Sequence, residues 1–437
     1  MGDNGNGHVE PPAPGEPSKA SPVVSSRLFT GVFIAIIGVT LCTFIAGQGL
    51  NAGTSVYISR LGGSATLAGI GAAVFSGAAI GGRLVSGPLA DTRGRLLVMA
   101  SGAFILLVGV LGAGICADVN LIMIWRFLQG LGFSAVTTAS ATAAADVLPA
   151  ERLGEGIGYY GLGQAIAMSM GPALAIALVS SDPPENLFWG LAVAAALSLL
   201  LCAFCRYEKH PDRLPETATY RTLAQKRTSR DDAESQGKRK SIATMIFEPG
   251  ALAGGIPMMV LSPAFGFGIY FVGLLGTELG VGNAGLFYTV SAIAMIVVRV
   301  SSRAFMDRVL PIKLLAMAIA SGVAGFSILL VTSIPLVSGM AQEALFYAAG
   351  IFYGLCIGIA LPVNQTVAVK NSSAERWGAA NGLFLLLLDL GIGLASIVWG
   401  ITNDQMGFPF TIACVIAFML ASLLVAFITY PPSAKHR

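Results

Sequence analysis

Charged residues are scarce in this chain: 11% of its 437 positions, against 55% hydrophobic and a mean hydropathy of +0.76. A soluble protein carries about 25% charged residues, so there are too few here to clothe a water-facing surface. Histidine is equally sparse. His8, His210 and His436 lie in the tails and the central polar stretch, which excludes an embedded histidine base or a histidine-ligated metal. The six cysteines, Cys42, Cys116, Cys202, Cys205, Cys356 and Cys414, fall mostly inside apolar runs. Cys202 and Cys205 have CxxC spacing but no partner pair, so packing is expected of them rather than redox or metal chemistry. No phosphate-binding P-loop occurs, which argues against ATP drive. No soluble-enzyme constellation occurs either, so neither an enzyme nor a resident cofactor is expected, and nothing calls for nucleic acid. The alternating segments of about ten residues that a transmembrane β-barrel needs are missing as well.

Long apolar runs fill the space. About 20 apolar residues cross a bilayer as a helix, and such runs lie at roughly 28–50, 69–89, 96–115, 120–145, 155–179 and 187–205, then at 248–275, 284–301, 312–335, 344–368, 378–400 and 409–429. The 54 glycines are roughly double the usual ~7% share, and small residues let membrane helices approach closely. The expected fold is an all-α membrane protein of twelve transmembrane helices in two pseudo-symmetric six-helix bundles. Residues 1–26 read as a disordered tail without the apolar core of a signal peptide, and Asn6 breaks the myristoylation pattern begun by Met1-Gly2. The N-terminal bundle is placed at 27–206, a linker at 207–247, the C-terminal bundle at 248–430 and a tail at 431–437.

With both termini in the cytoplasm, only Arg60, in an outside loop, and Arg126, inside a span, depart from the inner side among 26 Lys and Arg. That asymmetry is the positive-inside pattern and places the chain in the cell membrane. The stretch 206–247 holds ten basic residues against six acids and reads as a solvated linker whose charge fixes topology.

Between the second and third runs lies Gly87-Pro-Leu-Ala-Asp91-Thr-Arg93-Gly94-Arg95. Arg83 precedes Asp91 by eight residues, and Arg299 precedes Asp307-Arg308 in the same way, at an offset of 216. A second echo pairs Ala150-Glu151-Arg152-Leu-Gly154 with Ala374-Glu375-Arg376-Trp-Gly378, at an offset of 224. One hinge repeated in each half marks a duplicated membrane protein, and such proteins usually transport something. The short reversal favours Gly94 in a turn. Asp91 can accept hydrogen bonds from a neighbouring helix N-terminus or pair with an arginine. Asp146, at the end of span 4, is a partner for Arg83 or Arg95.

Several polar groups sit inside the apolar runs. Asp389 lies about 16 Å deep in span 11, counted from Gly378 at ~1.5 Å per residue, where an ionised carboxylate costs ~2.5–3.5 kcal/mol on insertion scales. It reads either as a proton or cation site or as half of a structural ion pair. Arg126 shares a face of span 4 with Gln129 and reads either as cavity-facing, tuning a nearby acid, or as structural. Glu155, at the start of span 5, is a helix cap or a proton relay. Gln48, Asn51, Tyr159, Gln164, Asn364, Gln365 and Asn381 are uncharged polar groups that either contact substrate or tie helices together.

Gly87, Asp91, Gly94 and Arg95 resemble the loop 2–3 signature of the major facilitator superfamily, with departures at Thr92 and Leu96. The second copy keeps only Asp307 and Arg308. Arg126-Phe-Leu-Gln129-Gly130-Leu-Gly132 is similar to that superfamily's buried-arginine motif. Gly158, Gly171 and Pro172 partly match its antiporter motif, with a departure at Ile176. The stretch Gly154–Gly161 resembles bacterial efflux members handling sugars, metallophores or drugs. The resemblance covers about residues 27–430 and implies alternating access by a monomer, with Asp91 latching the halves while the outward-open state is populated. It also implies that spans 1, 4, 7 and 10 line the cavity, which adds weight to Gln48, Asn51, Asn364 and Gln365. The resulting expectation is proton-coupled export of a small, partly apolar compound. Proton-coupled uptake of a sugar or organic acid is the alternative. A membrane sensor or scaffold is the rival of another class, against which the embedded charges of Asp389 and Arg126 argue.

The orientation is directly testable. Alkaline phosphatase inserted within 180–186 should be active and a fluorescent protein fused after Arg437 should fluoresce; the opposite pair of signals would reverse the topology.

Overall fold

The structure is a computed structural model, and it describes residues 28–116, 118–149, 152–209, 214–215, 218, 220–221, 248–306, 309–334, 337–373 and 376–435. The tail 1–26, Asp307, Arg308, and the Ala-Glu pairs 150–151 and 374–375 of the second echo lie outside the described residues.

Every long element among the described residues is a helix. The first half comprises α1 (Gly31–Arg60), α2 (Ala65–Arg93), α3 (Arg95–Ile115), α4 (Val119–Val147), α5 (Leu153–Val179) and α6 (Asn186–Cys202). The second comprises α7 (Leu252–Tyr270), its short continuation α8 (Val272–Glu278), α9 (Gly285–Met306), α10 (Pro311–Thr332), α11 (Met340–Lys370) and α12 (Trp377–Thr429). Starts are capped by side chains where the sequence supplies them. Thr30 Oγ1 accepts from the Phe33 amide at 3.2 Å, and Asp118 Oδ1 accepts from Asn120 and Leu121 at 2.7 and 3.1 Å, satisfying amides that a helix start leaves without partners. The 53 residues of α12 are two spans joined at Gly407, whose φ of 75° is non-helical. Glycine tolerates that conformation, and Pro409 two residues on has no amide to give the ladder. Among the described residues, with α12 counted twice and α7–α8 once, twelve crossings result, and ten helices are by themselves long and apolar enough to span.

Within the first half, α1 packs on α5 and α6, α2 on α4, and α3 on α4 and α6. Within the second, α7 packs on α12, and α9 and α10 pack on α11. Two bundles result, and the main joins between them are α2 against α12 and α5 against α9. Lipid tails do not drive helices together, so close backbone approach must. Gly171 of α5 lies against the backbone of Ile45 and Gly49, and Gly132 of α4 against that of Gly102 and Leu106.

The α2–α12 join is tight at one end only. A methyl group on Gly69 would overlap the Ser396 carbonyl, and Gly400 lies on Ala65; Ser396 Oγ also donates to Gly69 O at 3.1 Å. The α5–α9 join closes at the same end, with Gly285 against Ala173. Toward the face carrying the linker, a cavity lined by Gly158 and Tyr159 of α5 and by Gln365 and Asn381 of α11 and α12 lies between the halves.

Gly69→Val should therefore push backbone against backbone and cost about 1–3 kcal/mol, read as a lowered Tm in detergent. Gly77→Ala, where a Cβ would meet nothing within 4 Å, should leave Tm unchanged.

Candidate functional site

The parted halves enclose a cavity of about 760 Å³, within the ~300–1,000 Å³ range of small-molecule sites. Its walls are largely aromatic and aliphatic, with Phe44 and Phe133 on one side and Ile269 and Leu388 on the other. Of the polar groups expected there, Gln48, Tyr159, Gln164, Gln365, Asn381 and Asp389 line it, as do Gly158 and Pro172 of the antiporter-like motif. Gln365 donates to Asn381 Oδ1 at 2.6 Å, joining α11 to α12.

The repeat pattern groups Arg83 and Arg299 with the gate and latch residues of the hinge. Both line the cavity. Arg83 Nε contacts Asp389 Oδ2 at 2.9 Å, across the two bundles and with both side chains mostly buried. The reason is helix length. α2 runs on to Arg93, ten residues past Arg83 and so about 15 Å at ~1.5 Å per residue. Asp389 is about as deep in the antiparallel span 11. Equal depth on antiparallel helices brings the two charges level, and comparing the two depths along the sequence was the signal that could have paired them. Asp146 consequently pairs with Arg95 alone, at 3.0 Å.

Arg126 stands behind the wall rather than in it. Its side chain is 2% exposed, with Nη2 donating to Asn51 Oδ1 at 2.7 Å, Nε to Gly71 O at 3.2 Å and Nη1 to Gln129 Oε1 at 3.2 Å. The Phe75 ring lies 4.5 Å from the guanidinium carbon, a cation–π arrangement, and Tyr270 sits beside Arg126 and Ser76. A guanidinium cannot shed its proton, so this shell of acceptors and ring face holds it. An annex of about 40 Å³ lined by Gln48, Asn51, Tyr270 and Asp389 separates this cluster from the main cavity.

Other expected cavity contacts lie elsewhere. Gln129 donates to Gly109 O at 2.9 Å, tying α4 to α3, and Asn51 reaches only the annex. Asn364 is fully buried, donating to Ala360 O and accepting from Tyr430 Oη, both at 2.9 Å. A buried amide needs partners, and these helices satisfy it away from the cavity. Glu155 is ion-paired with Arg152 at 2.9 Å at the start of α5, outside the cavity wall.

The hinge is a folded cluster. Gly94 has φ 109° and ψ 151°, a region nearly confined to glycine. Arg93 is exposed, whereas Arg95 is fully buried, with Asp146 at 3.0 Å, Asp91 at 3.1 Å and the Tyr220 ring at 5.2 Å. Glu208 Oε1 caps α3, accepting from the amides of Arg95 and Leu96. Tyr220 donates its amide to Asp146 Oδ1 at 3.1 Å, and Tyr207, Leu214 and Ala218 are buried. This part of the linker, expected to be solvated, docks on the hinge because it carries apolar side chains and the capping carboxylate. Glu208 was missed among the linker charges; its three neighbours Arg206, Tyr207 and Lys209 gave no sign that it caps a helix more than a hundred positions earlier.

Two helical bundles closed at one end and parted at the other, with a substrate-sized cavity and an ion pair crossing it, are the architecture of a secondary transporter. A sequence model of the Major Facilitator Superfamily matches residues 28–342, and the chain belongs to that family. It is 24% identical over 311 residues, 70% of this chain and 73% of the relative, to the staphylopine export protein of Staphylococcus aureus (strain Mu50 / ATCC 700699). It is 29% identical over 132 residues, 30% of this chain, to multidrug resistance protein 3 of Bacillus subtilis (strain 168), spanning only 25% of that protein. Among solved structures, the inward open xylose transporter XylE from E. coli superposes at TM-score 0.70 with 14% identity, covering 94% of this chain and 98% of that one. The nucleoside transporter NupG does so at 0.65 with 16% identity, covering 92% and 98%. At these identities the two structures show the fold alone.

Glu208→Ala should remove the α3 cap and cost about 1 kcal/mol. Gly94→Ala should cost about 1–3 kcal/mol, because its Cβ would also meet the Glu208 carboxylate. Thermal melts of the purified protein check both.

Proposed function

We propose that this transporter carries a small, partly apolar compound out of the cytoplasm in exchange for protons, by alternating access of a monomer in the cell membrane. The bundle limits are 27–206 and 248–430, and both termini and the linker are cytoplasmic. The observation that carries the reading is the Arg83–Asp389 pair at 2.9 Å in the cavity wall. A protonated Asp389 no longer attracts the guanidinium, so a proton taken up from outside in the outward-facing state would keep Arg83 unpaired while the carrier turns inward. Release of that proton to the cytoplasm would restore the pair. The paired state, with the cavity open toward the linker face, is then the one ready to take cargo from inside. The annex beside Asp389 brings it near Asn51 and Tyr270, the neighbours of the fixed charge of Arg126. The S. aureus and B. subtilis relatives, named for export and drug resistance, support this direction.

An imposed gradient suffices energetically: ~2.3 kcal/mol per proton per 100 mV, plus ~1.4 kcal/mol per pH unit. The same cycle run with cargo and proton moving together would give uptake, the reading that the xylose–proton symporter among the fold neighbours favours.

Asp389→Asn tests the coupling. In proteoliposomes carrying a pH dye and challenged with a panel of amphipathic compounds, cargo-dependent proton movement should fall at least ~10-fold, with counterflow retained. Proton movement at the wild-type rate in the variant would rule Asp389 out as the coupling group. The sign of cargo flux under an imposed pH gradient separates export from uptake.

A further inference from the structure

We infer that Asp404 is a clasp that holds the two bundles together on the outer face and must open each time the cavity turns outward. The inference rests on the alternating-access reading but on neither the direction of transport nor its coupling ion.

The hydrogen-bond accounting at the start of α2 carries it. A helix start leaves its first amides without intrahelical partners. At α2 the Leu67 amide donates to Ser64 Oγ at 3.2 Å and the Ala68 amide to Ser64 O at 3.1 Å, both within the first bundle. The Ala65 and Thr66 amides donate to Asp404 Oδ1 and Oδ2 at 2.9 and 2.8 Å. Asp404 belongs to the second bundle, at the outer end of span 11 and three residues before the break at Gly407. These two amides therefore find a protein acceptor only while the bundles touch. A carboxylate over a helix N-terminus also gains from the aligned peptide dipoles. The residues beneath it allow the approach: Gly400 lies on Ala65 and Thr66, and Gly69 lies on Ser396.

Opening the outer face requires α2 and span 11 to part here, so both bonds must pass to water. Asp404 is exposed and Thr66 half-buried, so water can reach the carboxylate and the bond can re-form every cycle. A buried carboxylate could not do this without stranding a charge. The arrangement also has an inner counterpart. α2 and span 11 are antiparallel, and each carries a carboxylate near its C-terminal end. Asp404 stands at the outer face, and Asp91, which pairs with Arg95, at the inner. Each helix thus presents a carboxylate at the level of the other's N-terminus.

Hydrogen–deuterium exchange of the full-length protein in lipid nanodiscs tests the clasp. Asp404→Ala should speed exchange at 65–71 and 393–403. It should also slow exchange at the inner cavity rim, 157–161 and 381–385, as the inward-to-outward ratio falls about tenfold, equivalent to ~1.4 kcal/mol. Asp404→Asn, which keeps the shape and one acceptor, should give a smaller shift of the same sign and stands in if the alanine variant does not fold. Asp118→Ala removes a cap within one bundle, where Asp118 accepts from the Asn120 and Leu121 amides, and should speed exchange at 119–122 alone. If both Asp404 variants speed exchange only at 65–68, as Asp118→Ala does at its own helix start, with the inner rim unchanged, Asp404 is only a helix cap and the inference fails. Cargo and proton flux are absent from the readout, so the export reading can fail without the clasp failing, and the reverse.

Discussion

Arg83 and Asp389 lie on helices of different bundles, and each makes the other's position in the membrane tolerable. A lone charge at the bilayer centre costs ~2.5–3.5 kcal/mol on insertion scales, and removing one partner of a buried pair leaves the other uncompensated. The pair therefore holds the two halves in register at mid-depth, and whatever neutralises one partner changes the force between the halves. The cavity is built around this contact. Its walls are apolar, so the few polar groups that converge on it determine what can bind and what can move.

Mobility between the bundles follows from how they are joined. Inside each bundle, glycines such as Gly132 in the first and Gly354 in the second bring backbones of neighbouring helices into direct contact, which makes each bundle a close-packed body. Between the bundles the closest backbone approaches among the described residues lie at the ends of α2 against α12 and α5 against α9 that face away from the linker, with α1 against α7 and α8 beside them. A join at one end of two rigid bodies permits rocking, and the charged groups are distributed along that axis: Asp404 at the joined end, Arg83 with Asp389 at mid-depth, and Asp91 at the linker end.

The inner hinge has a different character from a surface turn. Arg95 is fully buried yet charged, and Asp91, Asp146 and the Tyr220 ring surround it. Their contacts with Nε and Nη2 are those of charges in close approach rather than aligned hydrogen bonds. With Glu208 capping α3, the linker becomes part of the first bundle's inner surface. A change in the linker would therefore be felt at the hinge.

Class, span positions and duplication were legible along the chain, because each depends on local properties: how many apolar residues run together, where glycine breaks a run, which motifs recur at one offset. Gly94 needed no partner to be read as a turn, and Asp389 needed none to be read as an anomaly. The same reading put Arg83 in the hinge and Asn364 and Gln129 in the cavity. Depth along a helix can be counted, but the direction a side chain faces depends on which neighbours surround that helix. Glu208 and Asp404 show the limit most clearly, since each caps a helix start more than a hundred positions away. A lipid-embedded chain must satisfy every polar group internally, and the sequence by itself determined which groups need partners. Only the packing of the two bundles decided which partners they found.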